Sequence, residues 1–501
     1  MSVANPELEV LFYALNKLGA VINLIDVRSD YKQIKKYLME VKSSTVVVMD
    51  NFLPEFDKCM EDEDIDNIVE NVITLSPFNS VLFPFNVLAE KKARKEDSIL
   101  YSKIDEIKKK DKYMTWNDLM NVIKYRYTRY PRYKKDMVAA LVHTGGTTGV
   151  PKTVKLSNEN FNAMAIQYKS LNANYNKGDT FLNGIVPFVA YGIVVTIHMP
   201  MCLGMTNIIA PILSPKEFTE FMIKYKPNHT VTVPTYVEHF VHDKKANSMN
   251  WKCLKNLGIG GDYFSEQSEI YVNEFLKRHG SSSIAEKGYG MTENSATAGV
   301  CLVGVNKINS LGIPLPLNTY GIFERGSDRE LKYGEEGEIC ITGPTEMLGY
   351  LNNKEEEDKV IKVHGDGKRW IHSEDVGLID EDGFLFFKGR YKRLIPHGGF
   401  KLYPSYIEGV IMEHPDIDSC CVIPIPDKVY GVSPEAHIVA KKDKIRELKK
   451  LKEELIELCQ DKLPSYSQLE DFIFEEDLPL TSVGKVDYKK VEKMRIKKLE
   501  E

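Results

Sequence analysis

Nothing in this chain gathers its cysteines. The eight of them, Cys59, Cys202, Cys253, Cys301, Cys340, Cys420, Cys421 and Cys459, are scattered, with no Cys-x-x-Cys pair and no histidine cluster. That spacing argues against a zinc site, and in so long a chain it fits a reducing cytoplasm better than a disulfide framework. A basic opening segment is also missing: MSVANPELEV carries acids early, which predicts no signal peptide. There is no excess of positive charge either, since 66 Lys and Arg face 72 Asp and Glu for a net charge of −6. That balance argues against a general attraction to nucleic acid or anionic membrane. The aromatic and basic stretch KYRYTRYPRYKK (124–135) is read accordingly as a helix end and loop, not as a platform for single strands. Finally, no apolar run is long enough to span a bilayer. The span 181–215 has no formally charged residue, but Pro187, Gly192, Pro200, Gly204 and Pro211 interrupt it, which predicts a buried strand–helix–strand unit. No internal repeat is present.

What is there is an ordinary globular composition, 43% hydrophobic and 28% charged, over 501 residues, enough for two or three domains. Short Val- and Ile-rich runs read as buried strands: TVVVMD at 45–50, VAALVHT at 138–144, NIIAPI at 207–212 and HTVTVP at 229–234. Between them lie helical patterns such as PELEVLFYALNKLGA and PKEFTEFMIKY, the second opened by a Ser-Pro start signal. This alternation predicts an α/β fold, with mainly parallel sheets flanked by helices. The segment 90–112 is charge-rich and reads as a solvated surface excursion. From residue 320 to about 387, EEGEICITG and GFLFFKGR predict short antiparallel strands. A lysine-rich α/β unit with an amphipathic helix at 445–463 follows.

The most informative stretch is LVHTGGTTGVPKTVKLSNEN, from Leu141. A buried strand runs into Thr144, Gly145, Gly146, Thr147, Thr148 and Gly149, then Val150, Pro151 and Lys152. Glycines let backbone N–H groups approach an anion, hydroxyls add donors and Lys152 adds charge. The GxxxxGK[ST] phosphate loop is excluded, because Val150 and Pro151 separate Gly149 from Lys152.

With this loop the chain resembles the adenylate-forming (AMP-dependent synthetase/ligase) superfamily, most of all its acyl-CoA synthetases. That family's signature is a strand, a Ser/Thr/Gly loop and Gly-x-Pro-Lys. The resemblance covers nearly the whole chain, from Leu8 to Val491. It implies a large domain over 1–391, with 321–391 antiparallel and β-barrel-like, a hinge at Lys392–Arg393, and a small mobile α+β lid over 394–501. It implies ATP, Mg²⁺ and coenzyme A as cosubstrates and cofactors. In YGMTEN, Gly288, Tyr289 and Gly290 fall at the adenine, with Tyr289 stacking on it. Thr292 falls on phosphate and Glu293 on Mg²⁺, where a hard carboxylate ligand is chemically apt. The Gly260–Gly261 turn falls beside the adenine and the acyl group. Asp375, in WIHSEDVG, matches a ribose-binding Asp, although Ser373 and Glu374 stand where relatives have Thr and Gly. Arg390 matches a second ribose and phosphate contact. Gly398 and Gly399 match the loop that lines the pantetheine tunnel, and Lys485 matches the adenylating lysine, with Lys152, Thr292 and Glu293 as its catalytic companions.

The resemblance further implies a carboxylic acid as substrate. PFVAYGIVV (187–195) holds no acid to receive an ammonium group, which disfavours amino acids. An acyl pocket lined by Ala190, Tyr191, Gly192, Thr235 and the Gly260 turn is apolar overall, so a fatty or aromatic acid is expected. Two alternatives stay open: transfer to the phosphopantetheine of an acyl carrier protein, and a catalytically inactive nucleotide-binding paralogue. In relatives, further strands and helices precede the segment matched by PELEVLFYALNKLGAVIN, so a shortened N-terminus is expected.

Overall fold

Three of the four apolar runs form strands over nearly the lengths read from sequence: Thr45–Met49, Val138–His143 and His229–Thr232. The fourth is cut to Thr206–Ile208, ahead of Pro211. The computed structural model describes residues 1–122, 130–144, 151–211, 214–441, 447–469, 471–480 and 486–500. Residues 124–129 of the Lys124–Lys135 stretch, the loop Gly145–Val150, and Lys485 lie outside these residues.

A seven-stranded sheet organises the molecule. Its order is Ile313–Pro314, Gly299–Val300, Ala285–Tyr289, Asn256–Ile259, His229–Thr232, Thr180–Asn183 and Thr206–Ile208. The last five are parallel, and the first two are antiparallel additions. His229–Thr232 and Asn256–Ile259 are buried at every position, as expected of parallel strands covered on both faces. Helices Pro215–Tyr225, Pro234–His242 and Glu266–Arg278 make crossovers between them. The Ser-Pro start is realised: the Ser214 hydroxyl accepts from Glu217 N–H.

The uncharged span folds as a strand–helix–strand unit. Its helix is wound as a π-helix over Tyr191–His198 before Met199–Cys202. Gly192 sits against the Val186 carbonyl, where a Cβ would come within 1.8 Å of the oxygen. Among the described residues no helix is long and apolar enough to cross a membrane. A four-stranded sheet (Ile22–Leu24, Val138–His143, Thr153–Ser157, Gly349–Tyr350) carries the glycine-rich loop between its middle strands. A parallel three-stranded sheet (Thr45–Met49, Asn71–Leu75, Tyr113–Thr115) lies beside it in the chain.

The reading of 90–112 as a surface excursion is corrected. The segment is helical over Phe85–Glu96 and Ser98–Ile107, and the second helix buries Tyr101, Ile104 and Ile107 in the core with Val46, Val48 and Val72. Three apolar residues at spacings of three were hidden by the charges around them.

Antiparallel strands appear where the glycine-rich composition placed them: Thr319–Phe323, Gly337–Thr342, Ile361–Val363, Arg369–Ile379 and Leu385–Arg390 form one sheet. Beyond it come a hairpin, Ile395–His397 and Phe400–Leu402, and a three-stranded sheet, Ile417–Asp427, Gly431–Ala440 and Phe472–Phe474. Helix Leu448–Lys462 buries Leu451, Leu455 and Cys459 on one stripe. One of the scattered cysteines, Cys340, lies beside other ligand side chains. Its Sγ is 3.4 Å from His372 Nδ1, which is itself 3.0 Å from a Glu338 oxygen, and all three are buried. They are brought together across neighbouring strands, a proximity that linear spacing does not reveal.

Candidate active site

Five parallel strands end on one side of the central sheet, and a cleft of about 1330 Å³ opens there. This is where open α/β sheets bind ligands. Thr144, Lys152, Gly261, Gly288, Tyr289, Gly290, Thr292, Glu293, Asp375 and Arg390 all line it. Residues spread over 250 positions of sequence thus meet at one site.

Each is held by identifiable contacts. Thr144 ends strand Val138–His143, and Lys152 stands just before Thr153–Ser157. The Thr144 N–H donates to the Lys152 carbonyl at 2.9 Å, and the Lys152 N–H donates to Thr144 Oγ1 at 3.0 Å. These bonds clamp both ends of the glycine-rich loop. Lys152 Nζ reaches Glu356 at 2.7 Å and lies 4.8 Å from the centre of the Tyr350 ring. Lys152 first, then Lys359, holds the Glu356 carboxyl down at about 2.

Strand Ala285–Tyr289 delivers Tyr289 to the cleft, and the short 3₁₀ turn Thr292–Asn294 follows. Gly290 makes that turn possible, since a Cβ there would lie 1.8 Å from the Ala296 carbonyl oxygen. Glu293 is buried, and one of its oxygens accepts from Tyr350 OH at 2.7 Å. Its other oxygen has no protein partner among the described residues. A hard, half-used carboxylate at the cleft wall fits Mg²⁺.

Asp375 is engaged on both oxygens, accepting from Tyr289 OH at 2.8 Å and facing Arg390 Nε at 3.0 Å. Burial, then the Asp375 charge, pushes the Tyr289 hydroxyl well above its usual range. Glu374, standing where relatives have Gly, nevertheless takes φ of 59°, the left-handed conformation that glycine favours. Its N–H donates to Glu338 at 3.0 Å and its carboxylate pairs with Lys392.

Gly398 and Gly399 do not line the cleft. They form the turn of the Ile395–Leu402 hairpin with φ of 55° and 86°, as a two-residue primed turn requires. Lys485 lies outside the described residues. It is flanked by Leu480 and Val486, which bridge to one another, and Leu480 lines the cleft. Arg393 is no bare hinge residue: it pairs with Glu408 and stacks on Tyr488 at 4.7 Å.

Behind the nucleotide end, the cleft continues along the sheet face over alternate positions of three strands: Val231 and Val233, Gly258 and Gly260, Glu286 and Gly288. Gly260 and Gly288 put no side chain into it, Val231 covers Gly258, and Ile185, Val186, Val189 and Ala190 wall it. Ala190, Tyr191, Thr235 and Gly260 line the cleft as expected, whereas Gly192 does not. The pocket, expected to be apolar overall, also holds Glu286, a buried carboxyl at the inner end. The signal was a charged pair inside a buried strand, three residues before Tyr289.

A model of the AMP-binding enzyme family matches residues 1–351, and one of the AMP-binding enzyme C-terminal domain matches 406–485. A long-chain-fatty-acid–CoA ligase of Bacillus subtilis (strain 168) is 26% identical over 96% of this chain and 82% of its own length. A Dictyostelium discoideum protein named "Probable 4-coumarate–CoA ligase 1" is 30% identical over 74% of this chain and 66% of its own. An anthranilate CoA ligase in complex with anthranoyl-AMP shares the fold, with a TM-score of 0.79 at 18% identity over 99% of this chain and 86% of that one. An o-succinylbenzoate coenzyme A synthetase of Bacillus subtilis, in complex with ATP and magnesium ion, gives a TM-score of 0.73 at 20% identity over 97% and 87%. The chain therefore belongs to the AMP-binding enzyme family, the adenylate-forming enzymes, as an acyl-CoA synthetase-like acid–thiol ligase.

Proposed function

We propose that this enzyme activates a carboxylic acid of apolar body with ATP and passes the acyl group to coenzyme A. One observation carries the reading: phosphate-facing, ribose-facing and carboxylate side chains converge on a cleft that runs on into a glycine-floored channel. In the first step a carboxylate oxygen attacks the α-phosphorus and pyrophosphate leaves. In the second a thiolate attacks the acyl carbon and AMP leaves. Asp375 and Arg390 would hold the ribose, and Thr292 and Lys152 the phosphates. Glu293 would hold Mg²⁺, which neutralises phosphate charge when bound. The free cysteines favour the cytoplasm as the setting.

We also propose that residues 394–501 turn about Lys392–Arg393 between the two steps. Leu480, beside the Lys485 segment, lines the cleft, while Gly398 and Gly399 of the same unit lie off it. One placement of that unit does not serve both roles.

The test is acid-dependent pyrophosphate release across a panel of fatty and aromatic acids, followed by addition of coenzyme A or a phosphopantetheinyl carrier protein. Release with some acids, and thioester only with coenzyme A, is expected. Thioester only on the carrier protein would replace the acceptor. No release with any acid would favour the inactive paralogue.

A further inference from the structure

The inner end of the channel is polar and underused. Glu286 Oε1 accepts from Asn256 Nδ2 at 2.9 Å. Its Oε2 has no partner among the described residues, and the side chain lines the cavity. Tyr168, Tyr175 and Tyr191 line the same cavity, with the Tyr191 hydroxyl beside Gly260. The Tyr168 hydroxyl is 3.2 Å from Thr297 Oγ1, but those of Tyr175 and Tyr191 have no hydrogen-bond partner among the described residues. None of these atoms is sealed away from the cavity. Three polar atoms with unused hydrogen-bonding capacity therefore face a channel also walled by Ile185, Val186, Val189 and Ala190.

Behind them the structure is rigid. Asn256 Oδ1 meets His229 Nδ1 at 2.7 Å, His229 Nε2 meets Asp179 at 2.9 Å, and Lys255 pairs with Asp179 at 2.8 Å. Glu286 cannot swing away without breaking its bond to the head of this chain.

We infer that the substrate acid carries a hydroxyl at the end remote from its reacting carboxyl, and that Glu286, Tyr175 and Tyr191 receive it. A hydroxyl both donates and accepts, so it satisfies Oε2 and takes donation from a tyrosine. A methyl terminus would bury all three polar atoms unpaired. A second carboxylate would give up far more hydration at this end than a hydroxyl does. The inference rests on the acid-activating reading given above and narrows its substrate class.

Matched acids test it: octanoate against 8-hydroxyoctanoate, and cinnamate against 4-hydroxycinnamate, by pyrophosphate release and, without ATP, by calorimetric binding. The hydroxylated member of at least one pair is expected to show about 10-fold or higher kcat/KM. Glu286→Leu should erase or invert that preference, and Tyr191→Phe should reduce it. Glu286→Gln keeps an acceptor for Asn256, so it reports on the site even where the leucine variant does not fold. Equal or better use of the plain acids by the wild type overturns the inference, as does an unchanged ratio in Glu286→Gln and Tyr191→Phe together. Hydroxylated acids that bind preferentially with no pyrophosphate release would leave the pocket assignment standing and sink the ligase reading instead.

Discussion

Glu286 has a consequence beyond the acids it meets. Burial pushes its carboxyl up to about 8 from an unfolded value near 4.5. The unfolded chain releases this proton at lower pH than the folded chain does, so the contribution to stability is full below the unfolded value and is lost as pH rises through the folded one. Wild-type protein should thus lose roughly 2–4 kcal/mol from this group between about pH 5 and pH 8. Glu286→Gln should flatten that part of the profile and gain relative stability at pH 8. Thermal midpoints of both proteins across that range decide it, and parallel profiles would refute it. This residue also shows where sequence reading stopped. Thr292, Glu293, Asp375 and Arg390 were legible because ordered motifs announce them, and the cleft does gather them. Glu286 carries no motif. Its meaning comes from strand alternation, which turns it to the same face as Gly288, and from tyrosines about 100 positions away.

At the scale of elements, the seven-residue helix Lys354–Val360 sets up a competition. It presents Glu356 to Lys152, a cation expected to meet ATP phosphate. A charge-assisted contact of this kind must be exchanged when phosphate arrives. Glu356→Gln should lower the KM for ATP, by about 3-fold, the scale of a part-exposed pair worth ~0.2–1 kcal/mol. The acid KM should stay unchanged. A raised ATP KM would show that Glu356 positions Lys152 instead of competing for it. Elements were read well where one face repeats, as in Leu448–Lys462. They were read poorly where charge masks the stripe, as in Ser98–Ile107. The π winding of the expected helix at Tyr191–His198 was also beyond reach, since it depends on the packing around Gly192 and not on local pattern.

The whole molecule places its two proposed half-reactions on one small unit. Removing a preorganised charge at a transition state costs about 10²–10³ in rate. Lys485→Ala should therefore lose adenylation by that factor while still converting supplied acyl-adenylate to thioester. Equal loss of both steps in a folded variant would argue against the rotation. Arg393 is unsuited to the same question, because its pairing with Glu408 anchors the small unit internally and its loss would leave a half-buried carboxylate unpaired.

Strand Ala285–Tyr289 joins these scales. Glu286 at one end and Tyr289 at the other are three residues apart, about 10 Å at the rise of an extended chain. The distance from the far wall to the nucleotide is therefore written into backbone that two neighbouring strands hold in register. The strand is a ruler. Loops at the cleft mouth can change without altering how long an acid fits, whereas resetting that length means replacing the mark itself, the side chain at position 286.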